Sequence, residues 1–356
     1  MKILIDGRML DNNSVHGIAR YAHNLIHWGL QHRPQHHIVV ATRQPQRWAD
    51  LQREFPQLDT ALVRAAPFHW KEQLDFARLF LRQRFDLAHF TSLAAPVFCL
   101  CRSLITVHDL IPWHFPSSPW HRPYLATVGR WCCWRATGIL TGSQHSCRDL
   151  ERILQVDPRR VTFFVYGGLD GHHIGAGGAG WRPQRPYLLC VTNPRPHKNA
   201  QVLLQAYAEL AEMCDLVMVC SEFPALAEAQ ASYPGLHRRS GLSDADLVSL
   251  YQGAAAVVVP STYEGFGLPV LEAMQMDAPV ITSNAASLPE VAGAAALYFD
   301  PHQPDQLVQV CRQLLDSPEL AQEMREKGRI QAQQFSWERC ARQHWDYYES
   351  VAFASS

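Results

Sequence analysis

The sequence predicts an α/β protein made of two doubly wound, Rossmann-like domains. Its 356 residues are more than one ordinary domain needs. Hydrophobic residues make up 47% of the chain, enough to fill two cores. Short runs that are apolar throughout alternate with helical patterns, which is typical of parallel sheets covered on both faces.

The predicted elements follow one another in alternation along the chain. Strands are expected in the first half at residues 2–5, 38–41, 87–90, 104–107, 138–141 and 161–165. In the second half they are expected at residues 188–191, 216–220, 255–259 and 280–282. Helical periodicity is clearest at residues 17–30, 200–213, 244–252 and 304–315. Such alternation predicts βαβ units in each half.

The break between the domains is predicted at a glycine-rich linker. We expect an N-terminal domain over residues 1–170, a linker over 171–186 and a C-terminal domain over 187–335. The aromatic segment 336–356 is expected to form a helix that packs back on the N-terminal domain. Residues 175–180 match the dinucleotide fingerprint G-x-G-x-x-G, but no strand precedes them and prolines follow, so we interpret them as linker. Ligands of such folds lie outside the carboxyl ends of the strands, here in the interdomain cleft.

Charge and cysteine usage restrict the class of protein. The formal net charge of −1 argues against a nucleic-acid partner. Residues 1–170 hold 20 Lys and Arg against 13 Asp and Glu, and residues 171–356 hold 12 against 20, so the first half is expected to face something anionic. The ten cysteines contain no C-x-x-C pair, which indicates reduced thiols of a cytoplasmic protein. We expect neither a signal peptide nor a membrane-spanning segment, because the apolar run at Met1–Ile5 is too short for the first and no run is long enough for the second.

The most informative segment follows the predicted strand 255–259 and reads Pro260-Ser-Thr-Tyr-Glu264-Gly-Phe-Gly-Leu-Pro269-Val-Leu-Glu272. Pro269 suits the first turn of a helix. Gly265 and Gly267 let the backbone approach a ligand closely, and free N–H groups at the helix start form an anion site. Two carboxylates, Glu264 and Glu272, flank this turn, which suits a diphosphate with hydroxyl groups on either side.

This segment resembles the E-x7-E signature of the retaining GT-B glycosyltransferases known as glycosyl transferases group 1, or family 4. The resemblance extends over nearly the whole chain in six segments in the family's order. The others begin at Gly17-Ile-Ala-Arg-Tyr21, Val107-His108-Asp109-Leu110, Ser143-Gln-His-Ser146, Asn193-Pro-Arg195-Pro-His-Lys198-Asn199 and Ser283-Asn284. Many members have Arg where this chain has Asn193, so the role of Arg195 is less defined than that of Lys198.

The resemblance implies a role for each matching residue. Glu264 would bind hydroxyls of the donor sugar and Glu272 the nucleotide ribose. Lys198 and Arg195 would neutralise the diphosphate as it leaves, and His108 would contact the sugar. The backbone around Gly265, Phe266, Gly267 and Leu268 would meet the diphosphate, with Gly17 approaching from the first domain and Asp109 on the acceptor side.

The expected function is therefore transfer of a hexose, with retention, from a nucleotide sugar to a glycan or lipid-linked glycan in bacterial polysaccharide biosynthesis. The basic variant around Lys198 resembles members that use GDP-mannose or GDP-deoxyhexoses. We expect no cofactor and no metal, because His108, Asp109 and His114 match no common ligand spacing. The alternatives are a nucleotide-sugar-binding subunit without catalysis and a nucleotide-sugar epimerase on the related fold.

One further segment bears on a membrane partner. Trp120-His-Arg122-Pro-Tyr124 leads into Arg130-Trp131-Cys-Cys-Trp134-Arg135. Trp and Arg on shared helix faces are typical of an interfacial helix, and the protein would then lie peripherally on the inner face of the cytoplasmic membrane. The alternative is an ordinary helix whose Trp residues belong to the core.

Overall fold

The computed structural model describes residues 1–11, 17–168 and 181–353. These residues form two compact units. The first comprises Met1–Tyr166 together with Ser336–Ser356, and the second comprises Gly167–Phe335. The glycine pattern at residues 175–180 and most of the predicted linker 171–186 lie outside the described residues.

The first unit contains a parallel sheet that has, within the described residues, seven strands in the order β3-β2-β1-β4-β5-β6-β7. Its middle strands are rich in fully buried Ile, Leu, Val and Ala residues, as expected for a sheet covered on both faces. Six of the strands were predicted from the sequence, and β3 was not. The strands are β1 (Lys2–Asp6), β2 (His37–Thr42), β3 (Leu58–Leu62), β4 (Leu87–Phe90), β5 (Arg102–Thr106), β6 (Gly138–Thr141) and β7 (Val161–Phe163).

The strands of this sheet are connected through helices, which gives the predicted doubly wound arrangement. In chain order these helices are α1 (Gly17–His32), α2 (Ala49–Glu54), α3 (Glu72–Arg82), α4 (Ile111–His114), α5 (His121–Tyr124), α6 (Arg130–Arg135) and α7 (Gln144–Leu154). A π-helical turn, Leu125–Gly129, joins α5 to α6. Because all the strands are parallel, the residues that follow β4, β5 and β6 meet at one edge of the sheet.

The second unit is built on the same principle. Within the described residues its parallel sheet has six strands in the order β10-β9-β8-β11-β12-β13. Four of them were predicted, whereas β10 and β13 were not. The strands are β8 (Tyr187–Val191), β9 (Asp215–Val219), β10 (Leu236–Arg239), β11 (Ala256–Val259), β12 (Val280–Ser283) and β13 (Ala296–Phe299).

The helices of the second unit are α8 (Ala200–Tyr207), α9 (Pro224–Ser232), α10 (Asp244–Gly253), α11 (Leu268–Gln275), α12 (Leu288–Ala292), α13 (Pro304–Leu315) and α14 (Pro318–Ala332). The predicted helix 200–213 was too long, because α8 ends at Tyr207. The chain continues in tight turns in which the Leu210 amide donates to the Tyr207 carbonyl at 3.0 Å and the Met213 amide to Leu210 at 2.9 Å. Two doubly wound α/β units are therefore present, as predicted.

The final helix, α15 (Trp337–Phe353), belongs to the first unit, where it packs on α1. The Trp345 indole is fully buried and donates its Nε1–H to the Leu25 carbonyl at 2.9 Å. Gly29 makes room for it, since a Cβ there would lie 2.1 Å from the indole ring. The apolar face of α15 is thus covered by the first helix of the chain. Among the helices of the described ranges, none combines the length and the apolar character needed to span a membrane.

Candidate functional site

The turn that precedes α11 contains a glycine in a backbone conformation that other residues rarely adopt, as predicted from the sequence. Gly267 adopts a φ of +118°, which only glycine adopts readily, and it stands at the N-cap of the helix. A Cβ at this position would come within 3.0 Å of Leu288 Cδ2. Pro269 occupies the first turn, as predicted. Phe266 is buried against Phe335, with the ring centroids 5.8 Å apart. The turn is therefore held by packing on its apolar side.

Glu264 and Lys198, which are 66 positions apart in the sequence, form an ion pair. Lys198 Nζ lies 2.7 Å from Glu264 Oε1, and the Lys198 side chain is 17% exposed. The Ser261 hydroxyl donates to the same carboxylate oxygen at 2.7 Å. Ser287 Oγ lies 2.8 Å from the carbonyl oxygen of Glu264. The carboxylate is thus fixed in position by a charge-assisted pair and by the chain around it.

The basic loop is bonded directly to the segment that follows β11. The Thr262 amide donates to the His197 carbonyl at 2.8 Å. The Asn199 side chain donates to the carbonyls of Pro260 and Pro301 at 3.1 and 2.7 Å, and Asn199 itself is left-handed with φ +50°. Burial lowers the pKa of His197 to about 4, so its imidazole is neutral near pH 7. These bonds hold the loop so that Lys198 faces Glu264.

Arg195 differs from Lys198 in its surroundings. Its side chain is exposed, and its backbone amide donates to Asn193 Oδ1 at 3.3 Å. Asn193 therefore shapes the turn before Arg195. The guanidinium has a long, flexible stem, and the predicted role of Arg195 toward a phosphate stays a prediction.

Glu272 lies on α11, and its carboxylate receives a hydrogen bond from Tyr251 on α10. The Tyr251 hydroxyl donates to Glu272 Oε2 at 3.1 Å. The tyrosine side chain is fully buried and Glu272 is 8% exposed. Tyr251 was not predicted from the sequence, and neither were Ser261 and Ser287. In sequence Tyr251 is an ordinary apolar position of an amphipathic helix.

His108 and Asp109 follow β5 in the first unit, where both side chains are bound to neighbouring groups. The Thr91 carbonyl, which only accepts, lies 2.9 Å from His108 Nε2, so Nε2 carries the proton. Nδ1 then accepts from the Tyr166 hydroxyl at 2.8 Å. Burial lowers the pKa of His108 to about 4. Asp109 Oδ1 accepts from the Ile111 amide at 2.9 Å, at the start of α4. Both ring nitrogens of His108 thus have protein partners, and its predicted contact with a sugar stays a prediction.

The other predicted positions of the first unit cap a helix, begin a helix or pair with a neighbouring side chain. Ser143 accepts from the Ser146 amide at 3.1 Å and so caps α7, while Ser146 Oγ donates to the His108 carbonyl at 3.2 Å. His114 Nε2 lies 2.9 Å from Asp149. Gly17 begins α1, and the residues just before it lie outside the described part of the chain.

A buried histidine network in the first unit was not foreseen from the sequence. His344 Nδ1 lies 2.7 Å from the Cys340 carbonyl and therefore donates to it, which leaves Nε2 to accept from the Tyr21 hydroxyl at 2.8 Å. Tyr21 then accepts from Thr106 at 2.8 Å, and Thr106 accepts from His89 Nε2 at 2.8 Å. His89 Nδ1 accepts from Tyr348 at 2.6 Å. Every proton in this network of hydrogen bonds is thereby assigned, and the imidazoles of His89 and His344 are both neutral.

Comparison with known proteins gives two family models that together cover most of the chain. The model for glycosyl transferases group 1 matches residues 178–331. The model for glycosyltransferase family 4 matches residues 15–170. The first of these contains the E-x7-E segment and the basic loop, and the second contains His108 and Asp109.

Two curated relatives are both named as O-antigen chain mannosyltransferases. An O-antigen chain mannosyltransferase B of Escherichia coli is 36% identical over 173 residues, which is 46% of this chain and 45% of that protein. The O-antigen chain mannosyltransferase RfbU of Salmonella typhimurium is 27% identical over 203 residues, 55% of this chain and 56% of that protein. The matches to these relatives span less than two thirds of the relatives' own lengths.

Solved structures share the fold over the whole chain. A glycosyltransferase from Rickettsia africae superimposes with a TM-score of 0.73 at 15% identity, covering 99% of both chains. Anabaena HepE, solved in complex with UDP-glucose, has a TM-score of 0.73 at 16% identity and covers 98% of this chain and 100% of its own. At this identity the likeness concerns the fold alone.

Proposed function

Because this chain belongs to the glycosyl transferases of group 1 and family 4, we propose that it transfers a hexose from a nucleotide sugar to a glycan in polysaccharide biosynthesis. The observation that carries the proposal is the Lys198–Glu264 ion pair at 2.7 Å, in the same unit as the left-handed Gly267 turn. A cation, a carboxylate and a helix start suit a sugar joined to a diphosphate.

The proposed chemistry follows from where charge develops. Breaking the bond between the anomeric carbon and the diphosphate leaves negative charge on the phosphate. Lys198 and the amides around Gly267 stabilise that charge. Glu264 accepts hydrogen bonds from sugar hydroxyls, and Glu272 accepts them from the ribose. In a transfer with retention, the acceptor oxygen bonds to the anomeric carbon on the face that the phosphate leaves, and the hydroxyl proton moves to a phosphate oxygen.

The donor that we propose is a GDP-hexose, with mannose as the sugar. The similarity to O-antigen mannosyltransferases supports mannose. The acceptor is a glycan or a lipid-linked glycan, so the enzyme works at the inner face of the cytoplasmic membrane. Lys198 supplies the positive charge at the leaving group, and transfer therefore proceeds without a metal ion.

The test is a calorimetric titration of the purified full chain with GDP-mannose, GDP-fucose, UDP-glucose, TDP-glucose and ADP-glucose, followed by transfer assays with the donor that binds. We expect GDP-mannose to bind most tightly and to yield GDP and a mannosylated glycan. Binding without transfer to any glycan would indicate a nucleotide-sugar-binding subunit. Isomerisation of the sugar without acceptor would indicate an epimerase. Binding of none of the nucleotide sugars would contradict the proposal.

A further inference from the structure

Large exposed hydrophobic side chains are concentrated in the first unit. Among the described residues, all the large exposed hydrophobic side chains except Trp181, Met213 and Ile330 belong to this unit, and most of them lie between residues 68 and 134. The alternative that the predicted Trp residues belong to the core is wrong for the two on α6, since Trp131 and Trp134 are 39% and 62% exposed. Monomeric proteins rarely expose such patches unless they bind a partner.

Three of these side chains form one surface, which we call the tryptophan face: Phe98, Trp131 and Trp134. The rings of Trp131 and Trp134 are 5.2 Å apart, and Trp131 meets Phe98 at 6.4 Å. The Trp131 indole donates to the Val97 carbonyl at 3.0 Å, which fixes the loop before β5 against α6. The face is therefore a defined structure rather than a set of scattered side chains.

The sequence stretch that contains α6 carries charge of one sign. Residues 110–148 contain four Trp and four Arg and no Asp or Glu. A cavity of about 580 Å³ opens beside the face, lined by Arg130, Trp131, Trp134, Gln155 and Arg160 among others. Arg130 Nε is buried and has no hydrogen-bond partner among the described residues. Asp157, the acidic side chain of the lining, is paired with Arg159 at 2.8 Å.

We propose that the tryptophan face docks on a membrane that contains anionic phospholipid, with one headgroup phosphate in the cavity between Arg130 and Arg160. Indole rings favour the boundary between headgroups and acyl chains. Guanidinium groups bind phosphate and are attracted by an anionic leaflet. The inference deepens the proposed function, on which it rests for an acceptor at the membrane.

Co-sedimentation of the full chain with vesicles tests this inference. We expect binding to vesicles of phosphatidylcholine mixed with phosphatidylglycerol, little binding to phosphatidylcholine alone, and weaker binding in high salt. Trp134→Ala and Arg130→Gln are expected to lower vesicle affinity about tenfold. Ile330→Ala removes an equally exposed apolar side chain from α14 and is expected to leave it unchanged. Circular dichroism establishes that each variant is folded.

The inference is overturned if the wild-type protein does not bind anionic vesicles at low salt, or if the Trp134→Ala variant binds them like wild type. It is also overturned if soluble glycerol phosphate or a neutral oligosaccharide binds the cavity when no vesicles are present. Donor titration distinguishes the two proposals. If GDP-mannose binds but vesicles do not, only the docking fails. If vesicles bind but no nucleotide sugar does, the proposed function fails.

A second inference rests on a different observation, the buried hydrogen bond from Tyr251 to Glu272. A glutamate side chain has three rotatable bonds, and a helix surface allows several rotamers. The Tyr251 ring is fully buried, so the packing around the ring fixes the position of its hydroxyl. We infer that Tyr251 is a positioning residue, which holds the Glu272 carboxylate in the orientation that accepts the ribose hydroxyls.

The variant Tyr251→Phe removes only the hydroxyl and keeps the buried ring. We expect the Kd for GDP to rise about fivefold or more, as a preorganised acceptor is lost. The Kd for inorganic pyrophosphate and for 2′,3′-dideoxy-GDP, which offer Glu272 no ribose hydroxyls, is expected to be the same in both proteins. A merely structural role would weaken all three ligands together.

Tyr207→Phe is the matched control, because Tyr207 is equally buried in the same unit and its hydroxyl donates to the Cys214 carbonyl at 3.3 Å. It is expected to bind GDP like wild type. Equal affinity of wild type and Tyr251→Phe for GDP would refute the positioning role. If wild-type protein binds no nucleoside diphosphate, the proposed function fails before this comparison is reached.

Discussion

Lys198 and Glu264 are joined by a 2.7 Å ion pair that connects the basic loop after β8 to the segment after β11. Each residue was predicted to contact a different part of the donor, one the diphosphate and the other the sugar. The two parts are adjacent in a nucleotide sugar, and so are the two side chains. In the free protein each side chain therefore neutralises the charge of the other.

The first prediction concerns Lys198→Ala. The variant removes the cation that faces the leaving diphosphate, and we expect kcat to fall about a hundredfold or more. Steady-state kinetics with the donor identified by titration measures this. Lys327→Ala, on the exposed surface of α14, removes a lysine that is also paired with a glutamate, at 2.6 Å, and is expected to have no effect.

The same experiment addresses the metal ion. If Lys198 supplies the charge, a chelator leaves wild-type transfer unchanged and added magnesium does not rescue Lys198→Ala. Loss of transfer with a chelator and its recovery with a divalent ion would contradict this account.

The second prediction separates the two carboxylates. Glu272→Ala is expected to weaken donor binding by roughly 1.5–3 kcal/mol, because the ribose hydroxyls lose a charged acceptor. Glu264→Ala is expected to lower turnover strongly and thermal stability only slightly. Titration, kinetics and thermal melts of both variants provide the comparison. Transfer close to that of wild type in both variants would show that the site is wrongly assigned.

The parts of the fold that sequence analysis missed share one position. The strands β3, β10 and β13 were not predicted, and each lies at the edge of its sheet. An edge strand is not covered like a central one and carries polar side chains, as in Leu236-His-Arg-Arg239. The sequences of β3 and β10 therefore lack the continuous apolar run that revealed β1 and β11, whereas β13, which reads Ala296-Leu-Tyr-Phe299, is apolar and was missed all the same. Central strands were predicted because burial on both faces dictates their composition.

The candidate site divides in a similar way. Glu264, Gly267 and Lys198 were found because a loop that binds an anion needs unusual residues in a fixed order. Tyr251 was missed because a tyrosine in a helix is typical of a core position, and only the fold brings its hydroxyl to Glu272. The exposure of Trp134 also depends on the fold, since the sequence left both a core and a surface position open.

The third prediction concerns Gly267→Ala. A side chain at φ +118° is strained, and its Cβ would meet Leu288 at 3.0 Å. We expect a loss of about 1–3 kcal/mol in the free energy of unfolding, together with weaker donor binding as the turn shifts. Denaturant titration and donor titration measure the two effects.

Gly241→Ala separates backbone strain from crowding. Gly241 also has a positive φ, +65°, but a Cβ there meets nothing within 4 Å. It is expected to cost about 1 kcal/mol of stability and to leave donor affinity intact. Equal donor affinity in both variants would argue against the Gly267 turn as the anion site.

The last prediction concerns acid. Burial lowers the pKa of His344 to about 3 and that of His108 to about 4, and it also lowers the pKa of His89. In the unfolded chain histidine titrates near 6.5. The unfolded state therefore binds more protons below about pH 6.5, and the stability of the first unit falls as the pH drops from there toward about 4. The network is at full strength above pH 6.5, where the imidazoles are neutral in both states. Thermal melts followed by tryptophan fluorescence across this range measure the loss.

The variant His344→Gln keeps a donor and an acceptor but does not titrate. Because His344 joins α15 to Tyr21 on α1, we expect this variant to be less stable than wild type at pH 7 and to lose less stability between pH 6.5 and 4. The exposed His302 of the second unit provides the control His302→Gln, which is expected to keep the wild-type pH dependence. Identical slopes for His344→Gln and wild type would show that acid acts on the first unit through other groups.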